Sequence, residues 1–268
     1  MQSCRLRFLR GAACALAVPL ALLAFAAMTP AVADGVSTMP GHSLLERVAS
    51  RLAARLPLRI IAFGSSSTEG VGASSPAAAY PSRLQAALTA ALPGPARVVV
   101  LNRGVGGEDA DDMARRLPEV IAEHPDLIIW QTGSNDPVRD VPLDRFVQET
   151  VAGIQAIRAA HIDLMLMGPQ LCHKLDATPA TVRYRNALRA IGERMAVPVI
   201  RRYDLMRGWL ADGSLTAEQM LSRDGLHMAD GGYAKLADAV AAEILQGTGI
   251  LHDAGLARIA AMDPAPSH

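Results

Sequence analysis

The sequence predicts an α/β protein: a three-layer α/β/α sandwich around a five-stranded parallel sheet with a flavodoxin-like strand order. Short apolar runs alternate with amphipathic helical patterns, which is typical of a parallel sheet covered by helices on both faces. Several of these apolar runs end abruptly in polar residues, as expected at the carboxyl edge of such a sheet. The expected strands cover residues 58–63, 97–101, 126–131, 162–167 and 197–201.

Residues 1–33 precede this pattern and have the parts of a secretory signal peptide. Three arginines come first, an apolar run covers residues 12–28, and Ala31-Val32-Ala33 supplies the small residues of a cleavage site. We therefore expect an exported protein, either periplasmic or secreted. A retained membrane anchor is the alternative, but Pro19 interrupts the apolar run and a cleavage site follows it.

Charge and cysteine content narrow the classes of function. Three of the 26 basic residues and none of the 26 acidic residues lie in the signal segment, so the exported chain would carry a formal charge of −3. A mildly acidic chain without a basic stripe is a poor binder of nucleic acid. Export would leave Cys172 as the single cysteine, so no intrachain disulfide is expected and the core must supply the stability.

The remaining chain is expected to contain a linker and N-terminal helix over 34–57, one α/β domain over 58–246 and a tail over 247–268. Pro118 is expected to bend or restart the helix that follows the second strand. Residues 204–222 are predicted to be irregular or weakly helical. The helices with a clear apolar periodicity are expected near residues 44–56, 81–92, 143–160, 184–195 and 233–244.

The first strand delivers four hydroxyl side chains to its carboxyl end. It stops at Gly64 and is followed by Ser65-Ser66-Ser67-Thr68. Loops at this edge of an α/β sheet place reactive groups against a rigid backbone, so a serine here is a candidate nucleophile.

The other polar segments supply the groups that a nucleophilic serine needs. Such a serine requires a base, a group that orients the base, and donors for the developing oxyanion. Ser66 can attack, His227 can accept its proton, and Asp224 can orient the imidazole. The Gly107 N–H and the Asn135 amide can bind the oxyanion.

Two sharper alternatives involve other polar residues. The acidic run of Glu108, Asp109, Asp111 and Asp112 can be a metal cluster, but it lacks nearby histidines and is typical of a helix start. Cys172 lies beside His173, yet adjacent loop residues generally diverge, so a substrate-facing loop is favoured over a thiol nucleophile.

Other strand-loop-helix chemistries fit the sequence less well. The loop after Gly64 lacks the lysine of a P-loop, and Gly104-Val105-Gly106 is followed by Asp109 where a dinucleotide fingerprint needs glycine. Thr68 occupies the position of the second glycine of an α/β-hydrolase nucleophile elbow.

At these residues the sequence resembles the SGNH, or GDSL-type, family of serine esterases and lipases. Four ordered blocks over residues 58–245 carry the resemblance. The blocks are Gly64-Ser65-Ser66-Ser67-Thr68, Asn102 to Gly107, Gly133-Ser134-Asn135-Asp136 and Asp224-Gly225-Leu226-His227. Any one of them would be a weak signal, whereas four in this order are a strong one.

The resemblance implies an SGNH hydrolase fold and a role for each candidate residue. It assigns the nucleophile to Ser66, whose backbone N–H joins Gly107 and Asn135 in the oxyanion hole. Asp224 and His227 complete a triad. Ser65 replaces the family's usual aspartate, at a position that supports the loop.

The glycine block and the serine run each leave a choice open. Gly104 and Gly106 remain alternatives to Gly107, and the choice of Ser66 among three consecutive serines depends on the alignment.

The implied activity is hydrolysis of carboxylic esters, with acetyl or other short acyl groups on small molecules or glycans as the expected substrates; lysophospholipids and thioesters are equally compatible with the catalytic residues. The acyl group would pass to Ser66 and then to water, without a metal or an organic cofactor. The alternative is a polysaccharide-directed O-acyltransferase, or an acyl-ester-binding protein, on the same fold.

Overall fold

Five parallel strands form the centre of the fold in the computed structural model, which describes residues 44–92 and 97–248. Their order is β2-β1-β3-β4-β5, which is the flavodoxin-like order and confirms the predicted fold class. The strands are β1 (Leu58–Gly64), β2 (Val98–Gly104), β3 (Leu127–Gln131), β4 (Asp163–Met167) and β5 (Val199–Ile200).

Ten helices flank or connect the strands in these residues, together with one turn of 3-10 helix at Pro76–Ala78. The first five are α1 (Glu46–Ala53), α2 (Ser66–Glu69), α3 (Tyr80–Ala91), α4 (Ala110–Ala122) and α5 (Leu143–Ala159). The others are α6 (His173–Asp176), α7 (Thr181–Met195), α8 (Arg202–Ala211), α9 (Ala217–Met220) and α10 (Asp230–Gly247). The predicted signal peptide, residues 34–43 of the linker and residues 249–268 of the tail lie outside the described residues.

Two apolar cores lie on the two faces of the sheet, and β1 contributes to both. Ile60 and Ala62 pack in one core with residues of α3 and α10. Ile61 and Phe63 pack in the other with residues of α4, α5 and α7. Side chains of a strand alternate between faces, so a central strand covered on both sides is apolar along its length. This double burial fixes the carboxyl end of β1, after which Ser65-Ser66-Ser67-Thr68 form a tight turn, called the serine turn.

The structure corrects the expectation for residues 204–222. Arg202–Ala211 is a regular helix, and Ala217–Met220 forms a further short one. The buried residues of α8 are Arg202 and Met206. Because the first of them is charged, the apolar spacing that identifies a helix is missing from the sequence.

Smaller differences concern Pro118 and the strand ends. Helix α4 continues through Pro118 without a restart. This proline lies on the exposed face, and Leu117 and Val120 are buried. Strand β5 is shortened to Val199 and Ile200, and β2 extends to Gly104. No helix within residues 44–92 and 97–248 is long and apolar enough to cross a membrane.

Candidate active site

The carboxyl ends of β1 and β2 set the position of the serine turn. Gly64 pairs with Gly104 in the parallel register, so the segments that follow them begin side by side. A Cβ atom on Gly104 would lie 2.1 Å from the backbone nitrogen of Glu69. The absence of a side chain at Gly104 therefore lets the serine turn pack directly against the end of β2.

A continuous chain of hydrogen bonds joins Ser66, His227 and Asp224. Ser66 Oγ lies 3.0 Å from His227 Nε2, and His227 Nδ1 lies 2.6 Å from Asp224 Oδ2. A carboxylate beside Nδ1 favours the tautomer with the proton on that nitrogen. Nε2 is then free to accept the hydroxyl proton of Ser66.

Asp224 is held as a carboxylate by the loop that carries it. Its Oδ1 accepts hydrogen bonds from Ser222 Oγ at 2.7 Å and from the backbone N–H groups of Leu226 and His227, both at 2.9 Å. Desolvation would raise the pKa of Asp224, but hydrogen bonds from His227, Ser222 and the backbone outweigh it and hold the pKa well below its usual range. The carboxylate is therefore ionised at neutral pH.

The serine turn distinguishes Ser66 from its two neighbours. Ser65 and Ser67 are buried, and the hydroxyls of both donate to Gln131 Oε1, at 3.0 Å and 3.2 Å. Ser66 is the first residue of α2. The first backbone hydrogen bond of this turn runs from the Thr68 N–H to the carbonyl oxygen of Ser65. The Ser66 N–H is one of the amides at a helix start that has no acceptor within its helix.

Asn135 and the glycine block lie beside this turn. Asn135 Nδ2 donates to the carbonyl oxygen of Glu108 at 2.7 Å, and Arg139 Nη1 donates to the carbonyl oxygen of Gly107 at 3.0 Å. Gly107 has φ +80°, a conformation that favours glycine. A Cβ atom on Gly106 would lie 3.8 Å from that of Ser66. The structure thus brings every predicted site residue to one edge of the sheet.

The acidic run near the glycine block consists of ion-paired side chains. Asp109 caps α4 by accepting from the Asp112 N–H, and both carboxylates pair with Arg139. Asp112 also pairs with Arg115, Glu108 pairs with Arg116, and Asp111 pairs with Arg145. No cluster of metal-ligating side chains occurs in the part of the chain that the structure describes, so this run is a charged helix start.

The thiol alternative is disfavoured by the burial of Cys172. The side chain is 2% exposed, and desolvation raises the pKa of the thiol. A raised pKa opposes formation of the nucleophilic thiolate. The neighbouring His173 is exposed at the start of the short helix α6.

Three buried polar groups near the site, Gln131, Asp136 and Arg202, have no role assigned from the sequence. Gln131 accepts from the serine turn, and Arg202 donates to Ser67 Oγ at 2.8 Å. Asp136 Oδ1 accepts from the Ala110 N–H at 2.9 Å, whereas its Oδ2 has no partner. Burial raises the pKa of Asp136 to about 6. Gln131 is a polar residue at the end of a predicted strand, and this position could have indicated a role near the site. The sequence around Arg202 has no pattern that indicates its burial.

A small cleft opens at Ser66. Its volume is about 30 Å³, and its walls include Asn135, Val138, Leu175 and Leu226. A wider groove of about 480 Å³ lies on another side of the Asp224 loop and contains neither Ser66 nor Asn135. The smaller cleft is therefore the space next to the Ser66 hydroxyl.

Comparisons with known proteins agree with this fold. A model of the non-GDSL lipase-like family matches residues 30–250. The lipase/acylhydrolase from Enterococcus faecalis is 25% identical with a TM-score of 0.60, over 73% of this chain and 97% of that one. No curated protein gives a match.

Two further solved structures support the fold alone. The acetyl xylan esterase AlAXEase is 22% identical with a TM-score of 0.59, over 69% of this chain and 99% of that one. A two-domain esterase active on acetylated mannans is 20% identical with a TM-score of 0.62, over 78% of this chain and 54% of that one.

Proposed function

The chain belongs to the non-GDSL lipase-like family and is a carboxylic ester hydrolase, and from this premise we propose that it is an exported serine esterase for short acyl groups. The observation that carries the proposal is the hydrogen-bonded series from Ser66 through His227 to Asp224. It has the order of nucleophile, base and orienting carboxylate that acyl transfer requires.

In the first half of the reaction, Ser66 Oγ attacks the ester carbonyl carbon while its proton passes to His227 Nε2. The tetrahedral intermediate carries its negative charge on the former carbonyl oxygen. The backbone N–H groups of Ser66 and Gly107 and the Asn135 amide are the proposed donors to this oxyanion. Collapse of the intermediate breaks the bond to the alcohol, which leaves with the proton from His227.

In the second half, water replaces the alcohol. His227 accepts a proton from water as its oxygen attacks the acyl-enzyme carbonyl, and a second oxyanion forms in the same site. Its collapse releases the acid and returns the proton to Ser66. Asp224 remains ionised throughout, keeps the imidazole in the required tautomer and stabilises its charged form.

The size of the cleft supports a short acyl group. The cleft, of about 30 Å³, is far smaller than the roughly 300–1,000 Å³ of pockets that hold drug-sized ligands. So small a space suits a short acyl group such as acetyl, whereas a long acyl chain would have to extend out of the cleft. The named activities of two structural neighbours, on acetyl xylan and on acetylated mannans, support acetylated glycans as the natural substrate class.

The proposed activity is tested with the full chain and p-nitrophenyl esters from acetyl to palmitoyl. We expect the highest kcat/KM for acetate and a progressive fall with chain length. Ser66→Ala should abolish turnover. The matched control is Ser82→Ala, which changes an exposed serine of α3 and should leave turnover unchanged. A folded chain that hydrolyses none of the esters would contradict the proposal and favour the acyltransferase or binding alternative.

Export rests on the signal-like composition of residues 1–33. Expression of the full chain with a C-terminal tag in a Gram-negative host should give periplasmic protein whose N-terminal residue is Asp34. Recovery of protein that keeps residues 1–33 in the cytoplasm or the membrane would contradict cleavage and export.

A further inference from the structure

Arg202 is a fully buried arginine beneath the candidate site. Its side chain is 0% exposed, and no carboxylate forms an ion pair with it among residues 44–92 and 97–248. The titratable groups that face it are Tyr80, Tyr233 and Cys172. Burial lowers the pKa of Arg202 to about 10, so the guanidinium stays protonated at neutral pH. A buried charge without a counter-ion is costly for folding. Such a costly residue is a candidate for a functional role.

The guanidinium is bound by neutral oxygens from three separate segments. Nη1 donates to Ser67 Oγ at 2.8 Å, Nη2 donates to Gln170 Oε1 at 2.7 Å, and Nε donates to the carbonyl oxygen of Gly168 at 3.0 Å. A longer contact of 3.5 Å joins Nη2 to Ser134 Oγ. The planar fork of arginine suits several acceptors in fixed directions.

Three of these four contacts, those with Ser67, Ser134 and Gln170, connect Arg202 to groups of the proposed site. Ser67 follows Ser66 in the serine turn, and Ser134 precedes Asn135. Gln170 connects to the third group, because its Nε2 donates at 3.2 Å to the carbonyl oxygen of Leu226, the residue before His227.

The hydroxyl groups around Arg202 have consistent donor and acceptor roles. Ser67 Oγ accepts from Arg202 and donates to Gln131 Oε1 at 3.2 Å. Gln131 Nε2 donates to Ser134 Oγ at 3.3 Å, which also faces Arg202. Arg202, Ser67, Gln131 and Ser134 therefore form a closed ring of hydrogen bonds, in which each bond has one donor and one acceptor. A fully satisfied network of this kind is rigid when it is buried.

We propose that Arg202 is a positioning residue for ester hydrolysis, whose guanidinium fork holds the segments of Ser66, Asn135 and His227 in their reactive arrangement. This inference rests on the proposed function of those three residues. It assigns to Arg202 a role in the transition state, in addition to any role in folding, because a misplaced donor or base weakens the reaction more than it weakens substrate binding.

The experiment compares Arg202→Gln and Arg202→Lys in the full chain, with Arg201→Gln as the matched control. Arg201 is the adjacent arginine, is exposed and pairs with Asp204 at the surface. For each variant we would measure Tm, kcat and KM on p-nitrophenyl acetate, and the dissociation constant of methylboronic acid. The boronate forms an anionic tetrahedral adduct with a reactive serine and thus imitates the intermediate.

We expect Arg202→Gln to lower kcat/KM about 10²-fold, mostly through kcat, and to weaken boronate binding by a similar factor. Arg202→Lys keeps the charge without the fork and should recover part of this loss. Arg201→Gln should stay within threefold of the wild type. The inference would be overturned if Arg202→Gln folds and keeps both kcat/KM and boronate affinity within threefold of the wild type. The role of Arg202 would then be confined to folding.

A second variant decides the question if the Arg202 variants do not fold. Ser67→Ala removes one acceptor of the fork and leaves Arg202 in place. It should lower kcat/KM about tenfold, and an unchanged value would contradict the proposal. Failure of the proposed function itself has a different signature, since the wild type would then show no turnover, or Ser66→Ala would retain it.

Discussion

Ser66 Oγ and His227 Nε2 lie 3.0 Å apart although 161 residues separate them in the chain. The two side chains meet because one follows β1 and the other belongs to the loop before α10, and both segments reach the same edge of the sheet. The loop is held by an antiparallel bridge between Leu221 and Met228. The distance between these two atoms therefore depends on the packing of both segments against the sheet.

Ser66→Ala and His227→Ala should each lower kcat by at least ~10³-fold, and the double variant should lose no more than the worse single variant. Residues that act as a unit have non-additive effects, since removing one disables the others. Steady-state kinetics on p-nitrophenyl acetate measure this. Losses that multiply in the double variant would indicate that the two residues act independently.

Asp224→Asn should lower kcat by about 10³- to 10⁴-fold with little change in KM. The amide keeps the shape of the carboxylate, but it can no longer stabilise the charged imidazole or enforce the proton on His227 Nδ1. Asp230→Asn is the matched control, because Asp230 lies on the following segment and bonds to Ser74. Equal activities of the two variants would argue against the orienting role of Asp224.

Val138→Ala should shift the preference toward longer acyl groups. Val138 is half-buried in the wall of the small cleft, and loss of its two methyl groups makes room for added methylenes. We expect the ratio of kcat/KM for butanoate over acetate to rise about 3- to 10-fold, in line with the modest discrimination of apolar pockets. The exposed Val182 of α7 provides the control Val182→Ala, and an equal ratio in both variants would exclude this cleft as the acyl site.

Asp136 should make the free energy of unfolding depend on pH. Burial raises its pKa from 3.8 to about 6 in the folded chain, so folding favours the protonated carboxyl. This contribution to stability is fully present below the unfolded pKa of 3.8 and is lost as the pH rises through about 6. The variant Asp136→Asn should therefore gain stability relative to the wild type over this range, by about 3 kcal/mol in total.

Urea unfolding between pH 4 and pH 7 measures this effect, with the exposed Asp140→Asn as control. A difference between Asp136→Asn and the wild type that stays constant with pH would contradict the raised pKa.

The sequence by itself determined the order of the strands and of most helices along the chain. The buried face of each of these elements shows in the sequence as a regular spacing of apolar residues. The sequence also located the four polar blocks, since polar residues that interrupt an apolar run stand out at a strand end. The resemblance to the SGNH family then assigned roles within these blocks to Ser66, Asn135 and His227. The regular helix at Arg202–Ala211 was missed, because its buried face begins with a charged residue.

The tertiary structure alone decided which groups meet. Three consecutive serines are equivalent in the sequence, but packing directs Ser65 and Ser67 to Gln131 and leaves Ser66 to reach His227. Arg202 has no local pattern that marks it, and its contacts with Ser67 and Gln170 are separated by 135 and 32 residues. Such contacts depend on the joint packing of distant segments around the sheet, whereas periodicity records only which side of one segment is buried.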